Sequence, residues 1–322
     1  MKKNNFYKEI YRLQRAIRLT ENKIAKNYKK YKMRCPTHLS IGQEAVAAAS
    51  GLALKKNDIS ISYHRSHAHY IAKGGNIKKL FAELFGFKEG CSKGVGGSMH
   101  LIDIKKNFYG STAIVSNSIP VGVGIAYSLK LNKQKNIVCI YIGDASLEEG
   151  VFYESLNFAI IKKLPIIFIC ENNFYSVYTH LKDRQPKDRE FYKLANSLGA
   201  KGYKLRQDNP FKLFKELKKI TEKVRKNPFP HFIEIKTYRY LEHCGPNDDT
   251  KLGYRTNAEL NKWKKNDTIN FSANYLIKNK IMTKEKILKL DQDVKKQIDS
   301  DFDSMRKLKS PKFKDIMKLT YR

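Results

Sequence analysis

Two apolar runs of strand length stand in the middle of the chain, Asn136 to Ile142 and Pro165 to Cys170. A strand covered on one face alternates apolar and polar residues, whereas an uninterrupted run of this length is a strand buried on both faces. Between the two runs, residues 149–163 set Phe152, Leu156, Ala159 and Ile160 at helical spacing, which predicts a right-handed strand-helix-strand unit. Further strands are expected at Gly202–Leu205 and His231–Tyr240, separated by helices over 186–198 and 211–226. Upstream, the pattern predicts a helix over 41–54, a short strand over 59–63 and a helix over 76–86. The fold class is therefore α/β, with a doubly wound, mainly parallel sheet flanked by helices.

The two ends of the chain carry one-sided helices instead. Phe6, Ile10, Leu13, Ile17, Ile24 and Tyr28 define an amphipathic helix over residues 5–30. Near the other end, Ile287, Leu290, Val294, Ile298, Phe302 and Met305 share one face, with Thr283 as N-cap and Glu285 in the first turn. This organisation describes one domain over 1–322, with an N-terminal helical arm over 1–35 and a C-terminal packing tail over 280–322. A place at a subunit interface suits that tail.

Composition narrows the class. With 322 residues, 41% of them hydrophobic, the chain can bury a full core. No apolar run is long enough for a bilayer span, and Met1 to Asn5 lead into an amphipathic pattern, not a signal-peptide core. A soluble cytoplasmic protein is expected. The five cysteines are odd in number and form no CxxC pair, so neither a disulfide framework nor a structural zinc site is indicated. The net charge of +32 raises nucleic acid as a partner. The basic residues are scattered, however, in short runs such as Tyr28 to Lys32 and Lys215 to Lys219, as on a Lys-rich solvated surface.

Candidate chemistry lies where the two central strands end, in Gly143-Asp144-Ala145 and in Glu171 to Tyr175. Open α/β sheets bind ligands beyond the carboxyl ends of their strands. A carboxylate at one strand end and an amide at the next can share a hard cation such as Mg²⁺, which takes oxygen ligands and phosphate. Asp and Asn are also ordinary turn residues, so spacing alone leaves both readings open. The glycine-rich stretch from Gly90 to His100 implies close backbone approach and a loop near the site. Gly122 and Gly124 lack a full GxGxxG pattern and a preceding strand, so they suit close helix packing better than a nicotinamide cofactor.

The segment from Gly143-Asp144 to Asn172-Asn173 resembles the thiamine diphosphate motif. More specifically, the chain resembles the α subunits of the first component of 2-oxo acid and acetoin dehydrogenases. The likeness extends over His38 to Ala45, His64 to His69 with Ala72 to Gly74, Gly90 to His100, Asn107 to Gly110, Gly143 to Tyr175, Thr237 to Tyr240 and Gly253 to Thr256. It implies that Asp144, Asn173 and the Tyr175 main chain bind Mg²⁺. Arg65 then matches a diphosphate-binding arginine, and Gly143, Ala145 and Ser146 line the diphosphate. Ala113 and Val115 would contact the aminopyrimidine. His64 stands where pyruvate members have tyrosine and acetoin-type members have histidine. His243 aligns with an active-site histidine that contacts the cofactor and serves in acyl transfer. His64, His67 and His69 read as a metal cluster only if Arg65 in their midst is ignored, because a guanidinium repels a cation. His243 also reads as a plain exposed loop residue.

The implied reaction is decarboxylation or cleavage of a 2-oxo acid or acetoin, the acyl unit passing to a lipoyl group on an acyltransferase. A separate β subunit supplies the glutamate that activates the cofactor, so an α₂β₂ assembly is expected. Two departures bear on this reading. Ala145 replaces the third motif glycine, a change that keeps the turn feasible. The loop from Leu241 to Asp249 has Cys244 in place of a regulatory serine and carries extra acidic residues, which point to a different substrate or acceptor. A transketolase-like enzyme with a non-lipoyl acceptor and a non-catalytic basic binding protein remain the alternatives.

Overall fold

The computed structural model describes residues 5–30, 33, 35–305, 308 and 312–320. Parts of the arm over 1–35 and of the tail over 280–322, including Met1 to Asn4 and the end of the run Tyr28 to Lys32, lie outside the described residues. Eight strands are present among these: β1 (Ile59–Ser62), β2 (Phe108–Ser111), β3 (Val138–Gly143), β4 (Ile166–Asn172), β5 (Tyr175–Ser176), β6 (Thr179–His180), β7 (Lys201–Arg206) and β8 (His231–Lys236). Six of them form one sheet in the order β2-β1-β3-β4-β8-β7, every pair parallel, and β5 and β6 form a separate antiparallel hairpin.

The alternation of side chains along β3 explains why its sequence is apolar throughout. Val138, Ile140 and Ile142 face one layer, where they meet Ile119 and Val123 of helix Ser118–Leu131 and Phe152 and Leu156 of helix Gly150–Ile161. Cys139 and Tyr141 face the other layer and pack with Val46 of helix Glu44–Ala53 and Leu217 and Ile220 of helix Pro210–Lys226. Each fully buried Ile or Phe contributes roughly 1.5–3 kcal/mol, so the double layer dominates the stability of the strand. The five cysteines are all free.

Several boundaries differ from those expected. The last strand stops at Lys236, because Thr237 to Tyr240 leave the sheet to carry a loop over its carboxyl edge. The helix expected over 186–198 spans only Phe191–Ser197, after a shorter turn at Leu181–Arg184. The helix Ser118–Leu131 has no counterpart among the elements that the hydrophobic pattern delimits, although close helix packing is the role expected for Gly122 and Gly124. Gly122 lies in it, and a Cβ there would come 2.5 Å from Ile140 Cδ1, so this glycine lets the helix sit close on β3. Gly124 faces open space instead, contrary to the packing role expected for it.

The tail helix Lys284–Met305 starts at Thr283, whose hydroxyl accepts from the Lys286 N–H at 3.4 Å. Its apolar face packs inside the chain: Ile298, Phe302 and Met305 join Ile17 and Ile24 of the first helix, Asn5–Asn27, and Leu80 and Phe81 of helix Ile77–Leu84. Among the described residues, no helix is long and apolar enough to cross a membrane.

The glycine-rich stretch folds around a single carboxylate. Glu83 is fully buried, and its two oxygens accept from the N–H groups of Ser92, Gly94, Gly96 and Gly97 at 2.7–3.2 Å. A Cβ at Gly90 would lie 2.2 Å from Glu83 Oε2, which is why glycine stands there. Replacing one acceptor oxygen by an amide donor turns attraction into conflict at two N–H groups. Glu83→Gln is expected to destabilise the chain by about 2–3 kcal/mol and to speed amide exchange in residues 90–100 beyond that of the rest of the chain, as measured by denaturant unfolding and hydrogen exchange.

Candidate functional site

The carboxyl ends of β1, β2, β3 and β4 open into one cavity of about 150 Å³. The chain order reverses between β1 and β3, the switch point at which open α/β sheets hold ligands. Its walls include His64 and Arg65 after β1, Ala113 and Val115 after β2, Gly143, Asp144, Ala145 and Ser146 after β3, and Asn173 and Tyr175 after β4. His243, on the loop beyond β8, closes the far side. All eleven residues singled out in the sequence thus meet in one place. The cavity is also lined by His38, Tyr63, Met99, Ser176 and Val177. Met99 is the contribution of the glycine-rich stretch.

Charge is buried here. Asp144 is 2% exposed; burial pushes its carboxyl up, and the adjacent Arg184 guanidinium opposes that shift. Arg184 also contacts Glu148. The Asn173 Oδ1 accepts from the Tyr175 N–H at 3.2 Å, and its Nδ2 donates to Gln43 Oε1 at 3.3 Å. Arg65 is 1% exposed and donates from Nη1 to the Leu39 carbonyl at 2.6 Å and from Nη2 to the His243 carbonyl at 3.2 Å. Its Nε has no protein partner, an orphaned cationic donor of the kind that an anionic ligand satisfies.

Three imidazoles converge beside Arg65. The ring centroids of His38 and His64 lie 4.5 Å apart, those of His38 and His243 4.9 Å, and those of His64 and His243 5.3 Å. Burial, then the Arg65 charge, pushes His38 and His243 down to about 2 and His64 well below its usual value, so all three are neutral at physiological pH. Their nitrogens come within 4.8 Å of one another, but a dication between them would face the same guanidinium. The cluster considered in the sequence does not form. His67 pairs with Ser98 Oγ at 2.8 Å and faces Glu21, while His69 pairs with Ser62 Oγ at 2.8 Å and faces Glu171.

The loop that carries His243 uses its acidic residues on itself. Asp249 is held by the buried Arg239 and Arg255, Glu242 accepts from Asn247 N at 2.8 Å, and Asp248 accepts from Thr250 N at 2.9 Å. These carboxylates therefore shape the loop. His243 is partly buried against the other two imidazoles, not an exposed loop residue. Arg239 further donates to the Val177 carbonyl at 2.7 Å, tying the loop to the β5-β6 hairpin. Phe174 and Val177 around β5 both have positive φ, 70° and 51°, backbone strain that concentrates at functional sites.

His38 lies at no predicted strand end, and Tyr63 closes the predicted strand over 59–63 but carries no charge or metal-ligand chemistry that would single it out. The nearest signal for His38 was its place at the head of the segment His38 to Ala45.

The donor set fits a metal-held diphosphate. Asp144 and Asn173 offer hard oxygen ligands suited to Mg²⁺, and Arg65 offers an unpaired donor to an anion. The fold and cavity together define a doubly wound α/β protein with a candidate ligand site at the switch point of its sheet. At about 150 Å³ the cavity is well below the roughly 300–1,000 Å³ of a complete cofactor pocket.

The chain belongs to the Dehydrogenase E1 component family, whose profile it matches over residues 11–314. It is 40% identical over 261 residues to the pyruvate dehydrogenase E1 component subunit alpha of Rickettsia typhi, covering 81% of this chain and 79% of that protein. It is 34% identical to the mitochondrial counterpart of Dictyostelium discoideum, over 92% of this chain and 76% of that one. For the mitochondrial counterpart of Sminthopsis macroura the identity is 32%, over 90% and 78%.

The three neutral imidazoles make stability depend on pH. A histidine whose folded value lies below its free value of 6.5 contributes stability that is complete above 6.5. That stability is lost as the pH falls below it, because only the unfolded chain takes up the proton. Lowering the pH from 7.5 to 5.5 is expected to cost about 1 kcal/mol for each of the three. Thermal unfolding of the wild type and of the H38Q/H64Q/H243Q triple variant at both values checks this, the variant showing the smaller drop.

Proposed function

We propose that this chain is the α subunit of a thiamine diphosphate- and Mg²⁺-dependent 2-oxo acid dehydrogenase that works with a β subunit. The observation that carries the reading is the meeting of buried Asp144, Asn173 and Tyr175 with the orphaned Arg65 Nε in one incomplete cavity. Asp144, Asn173 and the Tyr175 main chain hold the metal, and Arg65 meets a diphosphate oxygen. Gly143, Ala145 and Ser146 line the diphosphate, and Ala113 and Val115 line the aminopyrimidine. Bound thiamine diphosphate would supply an electron sink for the electron pair left when a substrate's carboxylate departs. His243, packed against His38 and His64, would stand as a neutral imidazole beside the acyl unit as that unit moves to a lipoyl acceptor on a partner acyltransferase.

A β partner is supported by two helices that are apolar on their outer sides as well. On Ser118–Leu131 and Gly150–Ile161, Val121, Leu131, Phe158 and Ile161 are exposed, and Tyr127 packs edge-on against Phe158 at 5.4 Å. A helix that is hydrophobic all round belongs in an interior. Ile114 and Val115 extend the apolar surface to the cavity mouth. The proposal includes a cytoplasmic setting, supported by five free cysteines in the chain.

A second reading, cleavage of acetoin, is favoured by His64, the residue that acetoin-type members carry at this position. Dye reduction by the α-β complex, measured with pyruvate and with acetoin, separates the two.

In the complex with its β chain, the wild type is expected to bind thiamine diphosphate only when Mg²⁺ is present, with no calorimetric signal for Asp144→Ala. Equal binding by that variant would remove the site from consideration. The double variant V121E/F158E is expected to fold alone, since both positions are exposed, yet to lose co-purification with the β chain.

A further inference from the structure

Arg184 reaches the proposed metal position from outside the cavity. Its Nη2 contacts Asp144 Oδ2 and its Nη1 contacts Glu148 Oε1, while Nε donates to the Thr179 carbonyl at 3.2 Å. The side chain is only 9% exposed, and it does not line the cavity that Asp144 and Asn173 line. The guanidinium therefore stands behind the carboxylate and does not fill the space in front of it.

Three elements meet at this side chain. Asp144 opens the turn Asp144–Glu148 after β3, and Glu148 closes it. Thr179 belongs to β6, the second strand of the hairpin whose first strand begins at Tyr175. The hairpin is further tied by the Leu181 N–H to the Phe174 carbonyl at 2.6 Å, and Gln185 Nε2 donates to Glu148 Oε1 at 3.1 Å. One planar fork with several donors can hold two carboxylates and a carbonyl at fixed angles, which an ammonium cannot.

From this we infer that Arg184 is a positioning residue for the metal site: it fixes the Asp144 carboxylate by Oδ2, leaving Oδ1 for the cation, and staples the hairpin that bears Tyr175 to the turn that bears Asp144. The inference rests on the cofactor reading given above. Two carboxylates against one guanidinium leave the cluster net negative, so a cation in the cavity still gains from it. Without the staple, Asp144 and Tyr175 sit on segments free to move apart, and the strained backbone at Phe174 and Val177 loses a restraint.

The test is calorimetric and independent of turnover. Mg²⁺ is titrated into the complex of this chain with its β chain at saturating thiamine diphosphate, and thiamine diphosphate is then titrated at saturating Mg²⁺. Arg184→Gln is expected to weaken Mg²⁺ about 10-fold, the usual scale for residues that orient a metal ligand, while thiamine diphosphate affinity at saturating Mg²⁺ returns to the wild-type value. Arg184→Lys recovers part of the loss, and Glu148→Gln gives a smaller one. Unchanged Mg²⁺ affinity in Arg184→Gln overturns the inference, as does tighter binding, which would mark Arg184 as a competing cation. Should Arg184→Gln fail to assemble, Arg184→Lys decides: weaker Mg²⁺ binding supports the staple and wild-type affinity overturns it. If the wild-type complex takes up neither Mg²⁺ nor thiamine diphosphate, the cofactor reading itself fails.

Discussion

Asp144 is a carboxylate held out of water at the end of a strand that is buried on both faces, and the geometry of the site follows from how that charge is satisfied. A buried charge costs several kcal/mol unless it is paired. Arg184 meets part of the requirement from outside, and a backbone N–H from Asn173 meets more from the neighbouring strand end. That neighbour is placed by register: Gly143 stands opposite Glu171 in the β3-β4 ladder, so the two strands leave the sheet at nearly the same level. The carboxylate and the amide converge because parallel strands end together.

The opposite wall of the cavity answers a second buried charge. Arg65 gives two of its donors to carbonyls, one of them on the loop of His243, and burial, aided by this fixed cation, keeps the three imidazoles neutral. The site thus separates its roles by position. Oxygen donors gather around Asp144, where a cation is favoured, and the guanidinium and neutral rings gather where a cation is disfavoured and an anion or a proton acceptor fits. The loop from Leu241 to Asp249 keeps this arrangement by internal pairing of Glu242, Asp248 and Asp249.

Much of this was legible in the chain. β3 and β4 could be read because both of their faces are buried, and all eleven site residues lie on the cavity, although resemblance, not spacing, selected most of them. Helix Ser118–Leu131 was illegible for a physical reason. Pro120, Gly122 and Gly124 lower its intrinsic propensity, and exposed Val121 and Leu131 put apolar residues on its outer side as well, so no helical stripe stands out. Arg184 was illegible for another. It sits in a polar stretch with Lys182, Asp183 and Lys187, and only the fold shows that its partner lies 40 positions upstream.

The unread helix and the small cavity are two views of one incompleteness. The apolar outer side of Ser118–Leu131 begins a few residues after Ala113 and Val115, which form the mouth of the cavity. A chain that covered Val121 and Phe158 would also reach that mouth, adding walls where the cavity is now too small for a whole cofactor. Burial of the apolar surface and enclosure of the cofactor would then be the same event. The free energy of association would be spent on retaining the cofactor, and cofactor binding would in turn strengthen association, since each favours the state in which both are present.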